Sequence, residues 1–246
     1  MSGLLRTFSS INYRGYKFLN GSKEKIASTI FSDTLESGIS LHLVNSYTIS
    51  EATQKLDLAS ILMSDPLICD GKPLALLLRR KEANFQNIRG VELMRYILGT
   101  SPASYGHFFL GGTDIKLKAI LSQVYKLNLD LNICGTLSPP MIDNYFDYIE
   151  SWSLAIRQSG AKIVWVGLGT PKQDYIGHEL AKRCNVIVIP VGAAFDFIGG
   201  MRQEAPEIIQ RLYLEWLHRL IQEPRRLLKR YFLGNLRFIR FVLFNK

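Results

Sequence analysis

Short apolar runs rich in β-branched residues alternate along this chain with longer segments whose apolar side chains recur every three or four positions. The first pattern predicts buried strands and the second amphipathic helices. Residues 1–21 mix polar and aromatic side chains and read as an irregular or β lead-in. Ser22 to Leu35 predicts a helix burying Ile26, Ile30 and Phe31, stopped by Gly38. Ile39 to Val44 predicts a strand, Ile49 to Met63 a helix, and Pro66 to Cys69 a short strand. The alternation continues with a helix over Val91 to Leu98, a strand over Gly106 to Leu110 and a helix over Ile115 to Tyr125. A strand over Leu129 to Cys134 and a helix over Met141 to Gln158 follow. The last three elements are the strand Ile163 to Val166, the helix Tyr175 to Arg183 and the strand Val186 to Val191.

Strands alternating with helices argue an α/β fold, a doubly wound and largely parallel sheet with helices on both faces. In such sheets ligands sit outside the carboxyl ends of the strands. Here those ends carry Asn45, Asp70, Gly111-Gly112, Gly135 and Gly167 to Gly169, which form one predicted rim. Beyond Gly200 the pattern changes. Pro206 to Gln222 is amphipathic, with Ile209, Leu212, Tyr213, Trp216, Leu217 and Leu220 on one face. Pro224 opens a very basic second helix that Gly234 interrupts. The expected division is a Rossmann-like domain over residues 1–200 and a C-terminal helical appendage over 201–246.

A length of 246 residues, 47% apolar and 21% charged, fits this division. Charge changes the picture in one place. After Glu223 come Arg225, Arg226, Lys229, Arg230, Arg237, Arg240 and Lys246 without an acidic residue, and the whole chain carries only +9. Phe238, Ile239, Phe241, Val242, Leu243 and Phe244 lie among the last of these cations. That mixture suits an anionic bilayer surface, at about 1 kcal/mol per basic residue; RNA is the rival partner for the same charge. No apolar run reaches the roughly 18 residues of a spanning helix, and the first 30 residues lack the apolar stretch of a secretion signal. Cys69, Cys134 and Cys184 are expected as small buried residues of a reducing cytoplasm. With His42, His107, His178 and His218 equally scattered, no metal site is argued.

The most informative stretch is Ile163 to His178. A strand feeds the turn Gly167-Leu168-Gly169, with Thr170 expected to cap the next helix and Pro171 to open it. Glycine lets a ligand approach the backbone, and the helix's free N–H groups favour an anion such as phosphate. Lys172 and Gln173 add a cation and an amide beside that place. Lys172 stands where a dinucleotide fingerprint needs its third glycine, which argues against a nicotinamide or flavin. The other reading of the two glycines is an ordinary strand-to-helix turn.

Asp70 ends a strand before Gly71 and is the candidate base, since a carboxylate projecting into the rim can accept a hydroxyl proton. Its alternative is a turn residue capping the helix from Pro73. Asn45 bonds a sugar hydroxyl or holds the base, or simply serves a turn. Gly111-Gly112-Thr113-Asp114 lines the rim, or opens a helix capped by Asp114. Asp196 is a lone acid in an apolar run and needs a partner; the two readings are a bond to a base or ribose and a helix cap. Arg219, Arg226, Lys229 and Arg230 are close enough in sequence to share a helical surface and neutralise a diphosphate. No Asp-x-Asp pair is present to hold a divalent ion on a donor diphosphate, so positive side chains and helix N-termini are expected in that role, with no metal or other cofactor.

Several ordered motifs together resemble the WecG/TagA/CpsF family of bacterial glycosyltransferases, glycosyltransferase family 26. They are Val166-Gly-Leu-Gly-Thr-Pro-Lys-Gln-Asp174, Val191-Gly-Ala-Ala-Phe-Asp196 and Glu215-Trp-Leu-His-Arg-Leu-Ile-Gln-Glu-Pro-Arg-Arg226. Asp70-Gly71, Leu110-Gly-Gly112 and Ser138-Pro-Pro140 add support, and the similarity runs from about Ile39 to Tyr231.

The resemblance implies transfer of a sugar, with inversion and without metal, from a UDP-sugar to a polyprenyl-diphosphate-linked saccharide. It places the protein at the inner face of the cell membrane, in surface polysaccharide synthesis, with an appendage that completes the site and touches the bilayer. Nucleic acid is not expected as a partner, and a homo-oligomer is open. Carried over by motif, Asp70 matches the general base, Asn45 an acceptor- or base-positioning asparagine, Gln173 a donor-pocket glutamine and Asp196 an acid beside the nucleotide. Arg219, Arg226, Lys229 and Arg230 match the appendage cations. Leu43 stands where the family often has threonine, and Asp174 where it has glutamate. The rival class is a non-catalytic, nucleotide-binding membrane adaptor using the same glycines and tail.

Overall fold

The computed structural model describes residues 7–32, 38–140, 144–206, 208–209 and 215–244, apart from the side chains of residues 219, 226 and 229–231. The lead-in is a hairpin, β1 (Ser9–Tyr13) and β2 (Tyr16–Asn20), followed by α1 (Lys23–Phe31), whose N-cap is Ser22. The predicted strand over Ile39 to Val44 is two strands, β3 (Ile39–Ser40) and β4 (His42–Val44), and they belong to different sheets. The chain switches sheet at Leu41. The Leu41 N–H bonds the Val188 carbonyl at 2.8 Å, and the His42 N–H bonds that of Pro66 at 3.1 Å. The alternation Ile39-Ser-Leu-His-Leu-Val44 runs on without a turn residue that would mark such a change of partner.

The predicted helix over Ile49 to Met63 is likewise two, α2 (Ser46–Ala52) and α3 (Leu56–Ser64). Between them Gln54 and Lys55 close tight three-residue bonds to Glu51 and Ala52, which ends the first helix. Then come β5 (Leu67–Cys69), α4 (Lys72–Arg79), α5 (Gly90–Thr100), β6 (His107–Leu110) and α6 (Asp114–Leu127). Strand β7 (Ile133–Leu137) lies later than the predicted Leu129 to Cys134. Leu131 is buried but precedes the strand, and the β6–β7 register slips at His107/Phe108. Gly135 is therefore inside β7 rather than at its end. A Cβ there would stand 2.7 Å from the Phe108 ring, so the glycine makes room for an aromatic neighbour.

After the 3₁₀ turn Tyr145–Tyr148, the chain forms α7 (Ile149–Ser159), β8 (Ile163–Val166), α8 (Lys172–Cys184), β9 (Ile187–Pro190) and α9 (Ala194–Ile198). The last helices are α10 (Glu215–Gln222) and α11 (Pro224–Phe244). Gly234 does not interrupt α11. A Cβ at that position would be 3.0 Å from the Tyr47 ring, so glycine lets α11 lie close against α2.

One sheet has the order β1-β2-β5-β4, with only the hairpin antiparallel; the other is parallel throughout, β3-β9-β8-β6-β7. Strand alternation sends Leu19, Leu43 and Ile68 of the first sheet and Phe109, Trp165 and Ile189 of the second into one shared layer. Helices α1, α5, α6 and α9 contribute to that layer. The opposite faces have separate cores. Phe18, Val44 and Leu67 pack with α2, α3, α4 and, through Phe238 and Phe241, α11. Phe108, Val164 and Val166 pack with α7 and α8. Two cores on one face and one on the other leave a crevice above the strand ends where the sheets meet.

Candidate active site

That crevice is a cavity of about 490 Å³. Asp70 lines it immediately after β5, its N–H held by the Val44 carbonyl at 2.8 Å as a continuation of the sheet. Helix α4 begins at an N-cap glycine, Gly71, which has no side chain to offer as a cap. Gly71 has φ +136°, and its N–H donates to Asn87 Oδ1 at 2.8 Å. A side chain at that φ would be strained and would also meet Asn45 Cβ at 3.2 Å.

Asn45 lines the same cavity but has a defined structural job. Its Oδ1 accepts from the N–H groups of Tyr47 and Thr48, at 3.0 and 3.1 Å, and closes a capping box on α2. What remains for a ligand is its amide nitrogen. Gly167 and Gly169 follow β8, in the five-stranded sheet, and line the same cavity together with Gln173. The expected Thr170 cap is absent, since α8 starts after Pro171 with no side-chain cap bond. Gln173 does related work from inside the helix. Its Oε1 accepts the Gly169 N–H at 2.9 Å, fixing the turn, while the side chain is 96% buried against Gly192. Its amide nitrogen has no hydrogen bond among the described residues.

Asp196, in α9, is neither a helix cap nor alone. It pairs with Lys116 and, at 3.3 Å, with Arg202, which also reaches Glu223. Lys116, Asp196 and Arg202 all line the cavity. Gly111 and Gly112 do not line it; they shape the residues that do. A Cβ on Gly111, at φ +127°, would stand 2.6 Å from the Gly167 carbonyl oxygen, and one on Gly112 would meet the Lys116 stem. The cap of α6 is Thr113, not Asp114. Gly135, inside β7, is off the wall, and Lys172 turns to the Tyr145 ring, 4.7 Å from its centroid. The side chains of Arg219, Arg226, Lys229 and Arg230 lie outside the described residues.

A model of the glycosyl transferase WecG/TagA/CpsF family matches residues 11–246. The chain belongs to this family. It is a glycosyltransferase, and its substrates are a sugar donor and an acceptor.

For this glycosyltransferase, sequence reasoning missed Asn87, Arg89, Lys116 and Arg202 on the wall. Arg89 is the joint between the α/β body and the C-terminal segment: it pairs with Glu92 at 3.1 Å, Glu204 at 3.0 Å and Glu215 at 3.5 Å. Trp216, Leu227, Gly234 and Asn235 complete the wall from α10 and α11. Lys116 carried one usable signal, a cation in the first turn of a helix that follows a glycine pair at a strand end. Beneath the glycosyltransferase's Gln173 lies a second feature no spacing announced. Buried His42 bonds Asp174 through Nδ1 at 3.0 Å and Asp65 through Nε2 at 3.1 Å, and Asp65 also bonds His178 at 2.6 Å. Asp174 Oδ2 and Ser40 Oγ are buried beside this chain with no partner among the described residues. By contrast His107 is a neutral core group: Trp165 donates to its Nδ1 at 3.0 Å, and burial pushes its pKa down to about 4. Among the described residues no helix is long and apolar enough to cross a membrane.

Proposed function

We propose that this glycosyltransferase moves a sugar from a UDP-sugar to a polyprenyl-diphosphate-linked saccharide in one inverting displacement. Asp70 takes the proton of the acceptor hydroxyl as its oxygen bonds the anomeric carbon. The bond from that carbon to the diphosphate oxygen breaks, and the electron pair leaves with UDP. The Gly167–Gly169 turn and the Gln173 amide receive the donor, with Lys116 and Arg202 near the nucleotide and Arg219, Arg226, Lys229 and Arg230 reserved for the diphosphate. Asn45 offers its amide to the acceptor. Lys172 belongs to this reading only as support for Tyr145, Gly111 and Gly112 as space-makers for residues of the wall, and Gly135 as a space-maker for the core ring of Phe108. Among the described residues no group of three or more His, Cys, Asp or Glu side chains fits a metal ion, and positive side chains carry the charge in this reading.

One observation carries the proposal: Asp70, Gly169, Gln173 and the C-terminal helices wall a single cavity, although they come from distant parts of the chain. The exposed apolar and basic face of α11 supports a place on the anionic inner surface of the cell membrane. The test is a donor screen with each common UDP-sugar and a short lipid-diphosphate saccharide, following labelled product. One donor is expected to give product. Asp70→Asn is expected to bind that donor normally while losing turnover by roughly a hundredfold or more, the usual share of a general base. Transfer near the wild-type rate by that variant removes Asp70 from the mechanism, and no product with any pair favours a non-catalytic adaptor.

A further inference from the structure

A second, smaller concavity of about 220 Å³ adjoins the cavity. Pro73, Leu76 and Leu77 of α4 form one side, and Phe238, Ile239 and Val242 of α11 the other. Pro73 lines both spaces, so the groove starts at the cavity wall three residues after Asp70. Lys72 lines the cavity at this junction and Arg80 lines the groove, where no acidic residue is present. Leu76, Ile239 and Leu243 are all more than half exposed. Among the described residues they belong to a longer exposed stripe, Leu228, Phe232, Leu236, Ile239 and Leu243, whose spacing keeps it on one face of α11.

We propose that this groove holds the first isoprene units of the acceptor's lipid tail; the inference rests on the transfer reaction proposed above. An acceptor of this kind joins a saccharide, an anionic diphosphate and a hydrocarbon chain. The saccharide hydroxyl must reach Asp70, which places the diphosphate beside Lys72 and the chain over Pro73. The groove then offers that chain apolar walls, with no hydrogen-bonding side chain except Arg80. Its outer end opens onto the apolar stripe, so the rest of the tail passes directly into the bilayer on which the stripe rests. A tail held there fixes the distance between the membrane and the reacting sugar. A peptide occupant fits less well, because its backbone polar groups would lose water against walls that cannot replace it.

The test uses full-length protein in detergent and acceptors with tails lengthening from a short alkyl group to several isoprene units. Wild-type kcat/KM is expected to rise roughly tenfold or more over the first units, as a few CH₂ groups leave water, and then level off. The double variant Leu76→Ser/Ile239→Ser changes exposed residues. It is expected to flatten that rise while leaving the short-tailed acceptor unaffected. Leu228→Ser/Phe232→Ser, on the stripe but outside the groove, is expected to weaken binding to anionic vesicles and keep the rise. An equal loss on all tails, or flattening by the second variant instead, overturns the groove. A tail-borne photolabel separates the two proposals. Label in α4 and α11 without any transfer product sinks the reaction and keeps the groove; product with label elsewhere does the reverse. Dimer dissociation by the groove variant, with no labelling, shows that a second copy of the chain is the occupant.

Discussion

Replacing His42 by Gln should remove a specific part of the protein's pH dependence. His42 has no exposed surface and lies between two carboxylates, Asp174 and Asp65. Burial alone would discharge the imidazole. The hydrogen bonds and charges of Asp174 and Asp65 outweigh burial and raise its pKa from 6.5 to about 9. A group whose pKa rises on folding stabilises fully below its unfolded value and loses that contribution as pH climbs through its folded one. His42 should therefore contribute on the order of 3 kcal/mol below pH 6.5, progressively less from 6.5 to about 9, and almost nothing beyond. Asp65 has the opposite sign. Burial pushes it up, but His178 and His42 bring it down to about 2 from 3.8, so its contribution is present above 3.8 and lost toward about 2. The two together define a plateau on the acid side of neutrality.

In His42→Gln, Asp174 keeps one oxygen already without a partner and loses its cation, a change that costs roughly 3–5 kcal/mol for a buried pair. Urea unfolding, followed by the fluorescence of buried Trp152 and Trp165, measures this from pH 5 to pH 10. Near pH 6 the variant should be less stable by that amount. By pH 10 the gap to wild type should have narrowed by about 3 kcal/mol, because the wild type has then lost what the variant never had. A gap that stays constant from pH 6 to 10 refutes a charged His42, since a packing defect alone has no reason to titrate.

Gln173→Ala leaves the Gly169 N–H without its acceptor; donor affinity in a titration should fall roughly tenfold, within the cost of an unsatisfied buried donor. Gly111→Ala puts a methyl group 2.6 Å from a backbone oxygen at a strained φ, and should lower stability in thermal melts by about 1–3 kcal/mol or more. Phe241→Ala empties a site bounded by Tyr13 and Tyr16, each with ring centroids 6.1 Å away; the expected cost is roughly 3–5 kcal/mol by urea unfolding. Unchanged stability in that variant would mean that α11 is not part of the folded core.

How far the fold was legible depended on whether the needed information is local. Ile163 to Val166 is a strand with the predicted limits because a β-branched run bounded by glycine has few alternatives. Asp70 falls at its predicted strand end for the same reason. The split at Leu41 was not legible, since residues 39–44 alternate without a break or turn residue and only the partner strands differ. Strand β7 was misplaced because Leu129, Leu131 and Ile133 alternate like a strand, whereas Leu129 is 86% exposed in a loop. Gly234 in a helix reads as a stop until the Tyr47 ring opposite it is known. The His42–Asp174 bond joins residues 132 positions apart, beyond the reach of any periodicity.

The C-terminal helix shows why composition alone misjudges a segment that has two faces. A basic helix with six large apolar residues near its end suggests a bilayer for all of them. In the fold, Phe238 and Phe241 are buried with the four-stranded sheet, while Ile239, Leu243 and Phe244 are exposed. Arg14, in the hairpin turn, donates to the carbonyls of Phe241 and Val242, the latter at 3.0 Å, in the last described turn of the helix. Arg237 adds a bond to Glu51 of α2 at 3.5 Å. The helix is thus anchored at its far end by the first strands of the chain, and midway by Gly234 against Tyr47. Its Leu227, Gly234 and Asn235 reach the cavity from that fixed frame. A membrane contact through the exposed stripe would therefore press on a helix that cannot shift without disturbing both the site wall and the core. If the stripe does meet a membrane as proposed, this packing would couple that contact to the geometry around Asp70 with no separate moving part.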